Sequence, residues 1–244
     1  PSGDAPASGR PAAVLSHGGG FRSGDRGDEN LASWATELAA RGVAAVSIDY
    51  RLLGDRPVVT EDAIGDYFLG LLLETNPFLT AMATARGAAM EDALSAAGWL
   101  IEEGADPDRI VIGGSSAGAI TAVHAAYLPD NLGIAAPEFA AVLDLWGGFS
   151  SSLVGAESEV DPGDPPIWIV HGTADRVVPI RRSLEIEAAA GAAGVEVVFH
   201  PIEGAGHSWR SIDIFEDTTA DGVVLFDDQL AFLSRVLGGE DTVP

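Results

Sequence analysis

The chain has 244 residues, 47% of them hydrophobic, which suits one α/β domain with an ample core. It has no cysteine, so disulfides, thiolate catalysis and cysteine metal sites are excluded. Net charge is −24, with every one of the 13 cations an arginine, and a field of that sign argues against nucleic-acid partners. The acidic excess reads as a solvated surface, and more sharply as adaptation to salt, where counter-ions screen the self-repulsion.

In chain order, residues 1–11 are rich in Pro, Gly, Ser and Ala and read as a flexible arm, with a single domain over 12–244. No signal-peptide pattern is visible, and no apolar run approaches the ~20 residues of a membrane span. The chain begins with Pro rather than Met, as a processed or trimmed product does, so cytoplasmic and secreted locations both stay open. Ala12–Leu15 is predicted as a buried strand and leads into His17-Gly18-Gly19-Gly20-Phe21. Glycines after a strand can turn backbone N–H groups into a cavity, although such loops also serve as plain turns. His17 is expected to brace this loop. Apolar residues at helical spacing predict a helix over Asn30–Ala40, followed by a strand over Val43–Ile48.

Leu52–Thr84 is the least regular stretch. Its apolar runs fit core helix, or an insertion forming a lid or pocket wall, or a partner surface. Ala85–Glu103 reads as a long helix closed by Gly104 and Pro107. The run Ile110–Ile112 then delivers Gly114-Ser115-Ser116-Ala117-Gly118, which fits G-x-S-x-G before a helix over Ala117–Tyr127. A serine at that place sits on a tight strand-to-helix turn, and a Cβ on either flanking glycine would crowd it. Later strands are predicted at Ala140–Leu145, Ile167–Val170 and Val195–Phe199, with a loop over Ser150–Pro166 and helices over Ile180–Ala193 and from Phe226 onward.

Strands alternating with helices imply a mostly parallel sheet of about six strands covered on both faces. Chemistry in such sheets collects at the carboxyl ends of the strands. The glycine loop, Ser116, Asp175 and His207 all lie just past strand ends. Serine needs an imidazole to take its proton, a carboxylate to orient that imidazole, and N–H donors for the oxyanion. The order Ser116, Asp175, His207 supplies the first three. Ala117 with Gly19 or Gly20 are the candidate donors. Asp144, also after a strand, is the rival acid, and Ser115 the rival nucleophile. His124, His171 and His200 read as structural. None of the five histidines forms a metal-ligand pair, and because a triad with backbone donors suffices for the chemistry, no metal or organic cofactor is implied.

With these motifs in view the chain resembles the α/β-hydrolase fold carboxylesterase/lipase family. The resemblance rests on His17-Gly18-Gly19-Gly20, Asp49-Tyr50-Arg51, Gly114–Gly118, His171-Gly172-Thr173-Ala174-Asp175 and Gly204-Ala205-Gly206-His207, and spans nearly the whole chain. It implies a triad of Ser116, Asp175 and His207 and an oxyanion hole of Gly19, Gly20 and Ala117. The last two motifs look nearer to feruloyl- and acetyl-esterases and dienelactone-hydrolase-like enzymes than to hormone-sensitive lipase. The activity this implies is hydrolysis of small or short-acyl carboxylic esters through an acyl-enzyme. Amide hydrolysis and acyl transfer use the same residues, and a non-catalytic binder on this fold is the reading from another class.

Overall fold

The computed structural model describes residues 9–72, 76–149 and 159–238. Six parallel strands form one sheet in the order β2-β1-β3-β4-β5-β6. They are β1 (Arg10–Ser16), β2 (Ala44–Ile48), β3 (Ala105–Ser115), β4 (Ala141–Leu145), β5 (Ile167–Gly172) and β6 (Val197–Ile202). The helices are α1 (Glu29–Ala40), α2 (Asp62–Gly70), α3 (Pro77–Glu102), α4 (Ala117–Tyr127), the short α5 (Pro129–Leu132), α6 (Arg181–Ala193) and α7 (Leu225–Val236), with one 3₁₀ turn at Leu53–Asp55.

Strand alternation divides the core into two layers. Val14, Ile112, Val142 and Ile169 face a layer made with Met90 and Ala97 of α3, Ala122 of α4 and Ile186 of α6. Their neighbours Leu15, Val111, Leu143 and Val170 face the other way, against Leu31 and Trp34 of α1 and Phe232 and Leu233 of α7. The central strands β4 and β5 are buried throughout, which is why they read as unbroken apolar runs. Two buried tryptophans bring their N–H groups to partners on α7: Trp34 Nε1 donates to Gln229 Oε1 at 2.8 Å, and Trp168 Nε1 to Asp228 Oδ2 at 2.8 Å.

Several boundaries differ from the sequence expectation. Strand β1 starts at Arg10, inside the stretch expected to be arm, and residues 1–8 of that arm lie outside the described residues. Helix α3 begins eight residues before Ala85. Asn76 caps it, its Oδ1 accepting the Leu79 N–H at 2.9 Å, and Pro77 sits at the first helical position, where a missing N–H costs nothing. Edge strand β6 runs through Pro201 to Ile202, as only an edge tolerates. Of the loop expected at Ser150–Pro166, residues 150–158 lie outside the described residues.

Of the stretch Leu52–Thr84, residues 73–75 lie outside the described residues, and α2 with Leu71 joins the core. Ile64 and Phe68 of α2 and Leu71 are buried against α3. On its outer side the same segment forms a groove of about 540 Å³, lined by Leu53, Pro57, Pro77, Thr80 and Thr84 among others.

Candidate active site

Ser116 joins β3 to α4 with φ 54° and ψ −117°, a region that side chains seldom adopt. Such a residue costs of order 1–3 kcal/mol and persists only where its surroundings enforce it. Here they do. The Ser116 N–H donates to Leu145 O of the neighbouring strand at 2.9 Å, and the Ser116 carbonyl accepts Ile120 N–H at 2.9 Å. A Cβ on Gly118 would lie 2.0 Å from Ser16 O, and one on Gly114 would lie 2.5 Å from the same oxygen. The two glycines of G-x-S-x-G therefore let the turn pack directly on the end of β1.

Asp175 lies in the turn after β5 with no exposed side-chain surface. Its Oδ1 accepts the N–H groups of Val177 at 2.8 Å and Val178 at 3.0 Å. Its Oδ2 accepts from His207 Nδ1 at 2.6 Å. The other ring nitrogen, His207 Nε2, is 2.7 Å from Ser116 Oγ. The carboxylate can only accept, so Nδ1 carries the proton and Nε2 is left as acceptor for the serine hydroxyl. His207 reaches this position because the loop after β6 packs on the turn after β5. A Cβ on Gly172 would stand 2.3 Å from Ala205 O.

The rival residues are placed elsewhere. Asp144 is fully buried and its Oδ1 accepts the Gly147 N–H at 2.6 Å, while burial pushes its carboxyl up to about 7. Ser115 is buried at the end of β3. His200 Nε2 pairs with Asp228 Oδ2 at 2.7 Å, next to Trp168. His124 sets Nδ1 against Ile120 O at 2.6 Å, and burial lowers its pKa to about 4. His171 is buried between Ser183 Oγ at 2.7 Å and Val178 O at 2.8 Å, with Nε2 also 3.2 Å from Asp175 Oδ2. Burial lowers its pKa, so it braces the Asp175 turn as a neutral ring.

The glycine loop flanks Ser116 from the other side. His17 is buried, with Nδ1 2.7 Å from Gly18 O and its ring stacked on Tyr50 at 4.3 Å between centroids. The Tyr50 hydroxyl donates to His17 O at 2.8 Å. Burial raises the Tyr50 pKa, keeping it a neutral donor. Gly19 and Gly20 have φ of 117° and 63°. A Cβ on Gly19 would lie 1.9 Å from Ser23 O, whereas Gly20 has open space around it. Gly18, which the sequence did not single out, is close to the nucleophile: a Cβ there would be 3.4 Å from Ser116 Cβ. Ala117 begins α4, where first-turn N–H groups have no intrahelical acceptor.

The sequence also missed what Arg51 does in the Asp49-Tyr50-Arg51 stretch. Its guanidinium binds Asp92 at 2.9 and 3.0 Å, Glu91 at 2.8 Å and Val58 O at 2.6 Å, clamping this turn to α3. Among the described residues, no group of three His, Asp or Glu is placed to hold a metal ion, and no helix is long and apolar enough to cross a membrane.

The sheet order, the strained serine turn and the Ser116–His207–Asp175 chain define an α/β-hydrolase fold of the esterase kind. The chain belongs to the phospholipase/carboxylesterase family, whose model matches residues 89–214. It is 34% identical to carboxylesterase SOBER1 of Arabidopsis thaliana over 109 residues, which are 44% of this chain and 45% of that enzyme. The match therefore spans less than half the length of that curated relative. Among solved structures, the apo form of Thermogutta terrifontis esterase 2 superposes with a TM-score of 0.66 at 25% identity, covering 97% of this chain and 86% of that one. The same esterase phosphorylated by paraoxon gives 0.62 at 26% identity, over 97% and 85% of the two chains.

Proposed function

We propose that this chain is a serine carboxylesterase that works through an acyl-enzyme on Ser116. The observation that carries this reading is the hydrogen-bonded line from Ser116 Oγ to His207 Nε2 at 2.7 Å and from His207 Nδ1 to Asp175 at 2.6 Å. In the first half-reaction His207 takes the Ser116 proton as Oγ attacks the ester carbonyl, and returns it to the departing alkoxide. In the second, His207 takes a proton from water, hydroxide equivalent attacks the acyl carbon, and the proton returns to Ser116 as the acid leaves. Asp175 holds the Nδ1–H tautomer and stabilises the imidazolium. The N–H of Ala117 and that of Gly19 or Gly20 receive the oxyanion, a donor pair of the kind in which losing one member costs roughly 3 kcal/mol.

Small or short-acyl esters are the proposed substrates, and the branch of feruloyl- and acetyl-esterase-like enzymes remains the reading of the motifs. The groove of about 540 Å³ is of small-ligand size, and none of Ser116, Asp175 and His207 lines it. Its wall is joined to the glycine loop by the Leu53 N–H donating to Phe21 O at 2.8 Å. That the relatives are esterases favours ester over amide hydrolysis. A p-nitrophenyl ester panel from acetyl to octanoyl tests the reading. Turnover should favour the short chains and fall roughly 10⁴-fold or more in Ser116→Ala. Wild-type turnover by that variant would overturn the nucleophile, and no turnover of any ester by the parent protein would favour a binder.

A further inference from the structure

Two arginines, one on α3 and one on α6, carry buried donors that make no hydrogen bond. Arg86 Nε and Arg182 Nη1 are both buried without a hydrogen-bond partner. Arg86, partly buried on α3, lies over the Phe21 ring at 5.8 Å from its centroid. Arg182, on the first turn of α6, has a side chain only 15% exposed and a long ion pair with Glu185 Oε2 at 3.7 Å, whereas Arg86 has no ion pair among the described residues. Each guanidinium is held below its usual pKa, first by burial; the positive charge of Arg182 then adds to the effect on Arg86. Both charges also press on the His124 ring. This is costly in a protein with 37 acidic residues, where a carboxylate partner is the common outcome.

Their placement ties them to the reacting centre from two flanks. Phe21 closes the glycine loop and packs with Ala85 and Ala89, the neighbours of Arg86 on α3, and with Ala117, the residue after the nucleophile. On the other flank, β4 accepts the Ser116 N–H at Leu145 and leaves through Trp146, whose ring is 6.5 Å from His207. Two residues on, a Cβ on Gly148 would sit 2.6 Å from Arg182 Cβ. Planar guanidinium forks match a carboxylate, and an anion bound by both would relieve the repulsion that the Arg182 charge exerts on Arg86.

We infer that Arg86 and Arg182 form an anion subsite beside Ser116, so that the preferred substrates are small esters carrying a carboxylate. This rests on the esterase reading above and deepens it. A protein of net charge −24 repels anions at long range, so selection of an anionic ester falls to a local cationic pair of this kind.

Two matched substrate pairs test it. Mono-p-nitrophenyl glutarate against p-nitrophenyl butyrate places the anion on the acyl side; 4-acetoxybenzoate against its methyl ester places it on the alcohol side. One anionic member should exceed its neutral partner in kcat/KM. Arg86→Gln and Arg182→Gln should each cut that ratio about tenfold or more, chiefly through KM, as loss of charge-assisted hydrogen bonds does. Arg86→Lys should recover part of it. Arg235→Gln, which removes the same charge from exposed α7, should leave the ratio alone. Unchanged ratios in both glutamine variants, with native circular dichroism, overturn the subsite. A thermal shift of Ser116→Ala protein by glutarate, measured against NaCl of equal ionic strength, reads the subsite without turnover. An Arg86-dependent shift in a protein that hydrolyses no ester would sink the esterase reading and keep the subsite. Ester turnover with indifferent ratios and no glutarate shift would do the reverse.

Discussion

His171 Nε2 stands 3.2 Å from Asp175 Oδ2, the same oxygen that accepts His207 Nδ1 at 2.6 Å. The Asp175 carboxylate is thus held by a second, buried histidine, which is itself anchored to α6 through Ser183 and to the turn through Val178 O. On the proposed mechanism His171 would be a positioning residue, since it touches Asp175 and not Ser116 Oγ. His171→Gln should lower kcat on a neutral ester roughly tenfold with little change in KM, since small misplacement of a catalytic group slows chemistry before it weakens binding. Equal loss in kcat and KM would assign the effect to general damage.

Asp175 and the rival acid Asp144 separate cleanly by substitution. Asp175→Asn keeps its oxygen on the Val177 and Val178 N–H groups and turns an amide N–H toward His207 Nδ1, so the wrong tautomer faces Ser116 and kcat should fall about 10³–10⁴. Asp144→Asn keeps an acceptor for the Gly147 N–H and should alter kcat by only a few fold. Steady-state kinetics on both variants checks the assignment, and the reverse ranking would move the catalytic acid to β4.

Asp144 should instead appear in the pH dependence of stability. Its carboxyl rises from the ordinary 3.8 to about 7 in the fold, driven by burial. A raised carboxyl penalises the native state wherever the unfolded chain is already ionised. The penalty is absent below pH ~4, grows through the interval up to about pH 7, and is complete above it. The Tm of Asp144→Asn relative to the parent should therefore increase from pH 5 to pH 8. A difference that stays flat or falls would mean the ionised carboxylate is well accommodated.

The glycines around Ser116 differ sharply in what they tolerate. Gly118→Ala would drive a methyl to 2.0 Å from Ser16 O, and the turn cannot move without displacing β1. The expected loss is at least about 3 kcal/mol, or roughly 6–12 °C in Tm for a chain of this size. Gly20→Ala meets no atom within 4 Å and faces only the cost of φ +63°, roughly 1–2 kcal/mol. Calorimetry on the pair distinguishes packing strain from backbone strain, and equal losses would refute the distinction.

With 37 acidic residues against 13 arginines, self-repulsion should weaken as counter-ions screen it. Tm is expected to climb between dilute buffer and about 1 M NaCl. No gain over that range would assign the acidic excess to solvation alone.

How much of this was legible in the sequence follows from what each feature needs. The order of strands and helices was readable because buried parallel strands are unbroken apolar runs, as Ile110–Ile112 and Ile167–Val170 are. Ser116, Asp175 and His207 could be paired because each follows a strand and the strands share one edge. The start of α3 was hidden because Pro77 reads as a breaker unless Asn76 is recognised as the cap before it. Gly18 could not be told from Gly19 and Gly20 within a run of three, since only the approach of Ser116 distinguishes it. Arg86 and Arg182 were invisible as a pair: they are 96 residues apart, on different helices, and nothing local marks a guanidinium donor as lacking a hydrogen bond.

The central claim is that Ser116 is an activated nucleophile, and covalent labelling tests it most directly. The related esterase of the same fold is phosphorylated by paraoxon. Incubated with paraoxon, this protein should gain a single diethylphosphoryl group, mapped by peptide mass spectrometry to Ser116. Labelling should vanish in Ser116→Ala and slow by orders of magnitude in His207→Ala. A protein that stays unmodified, or carries the label on another residue while Ser116→Ala still hydrolyses esters, would contradict the account.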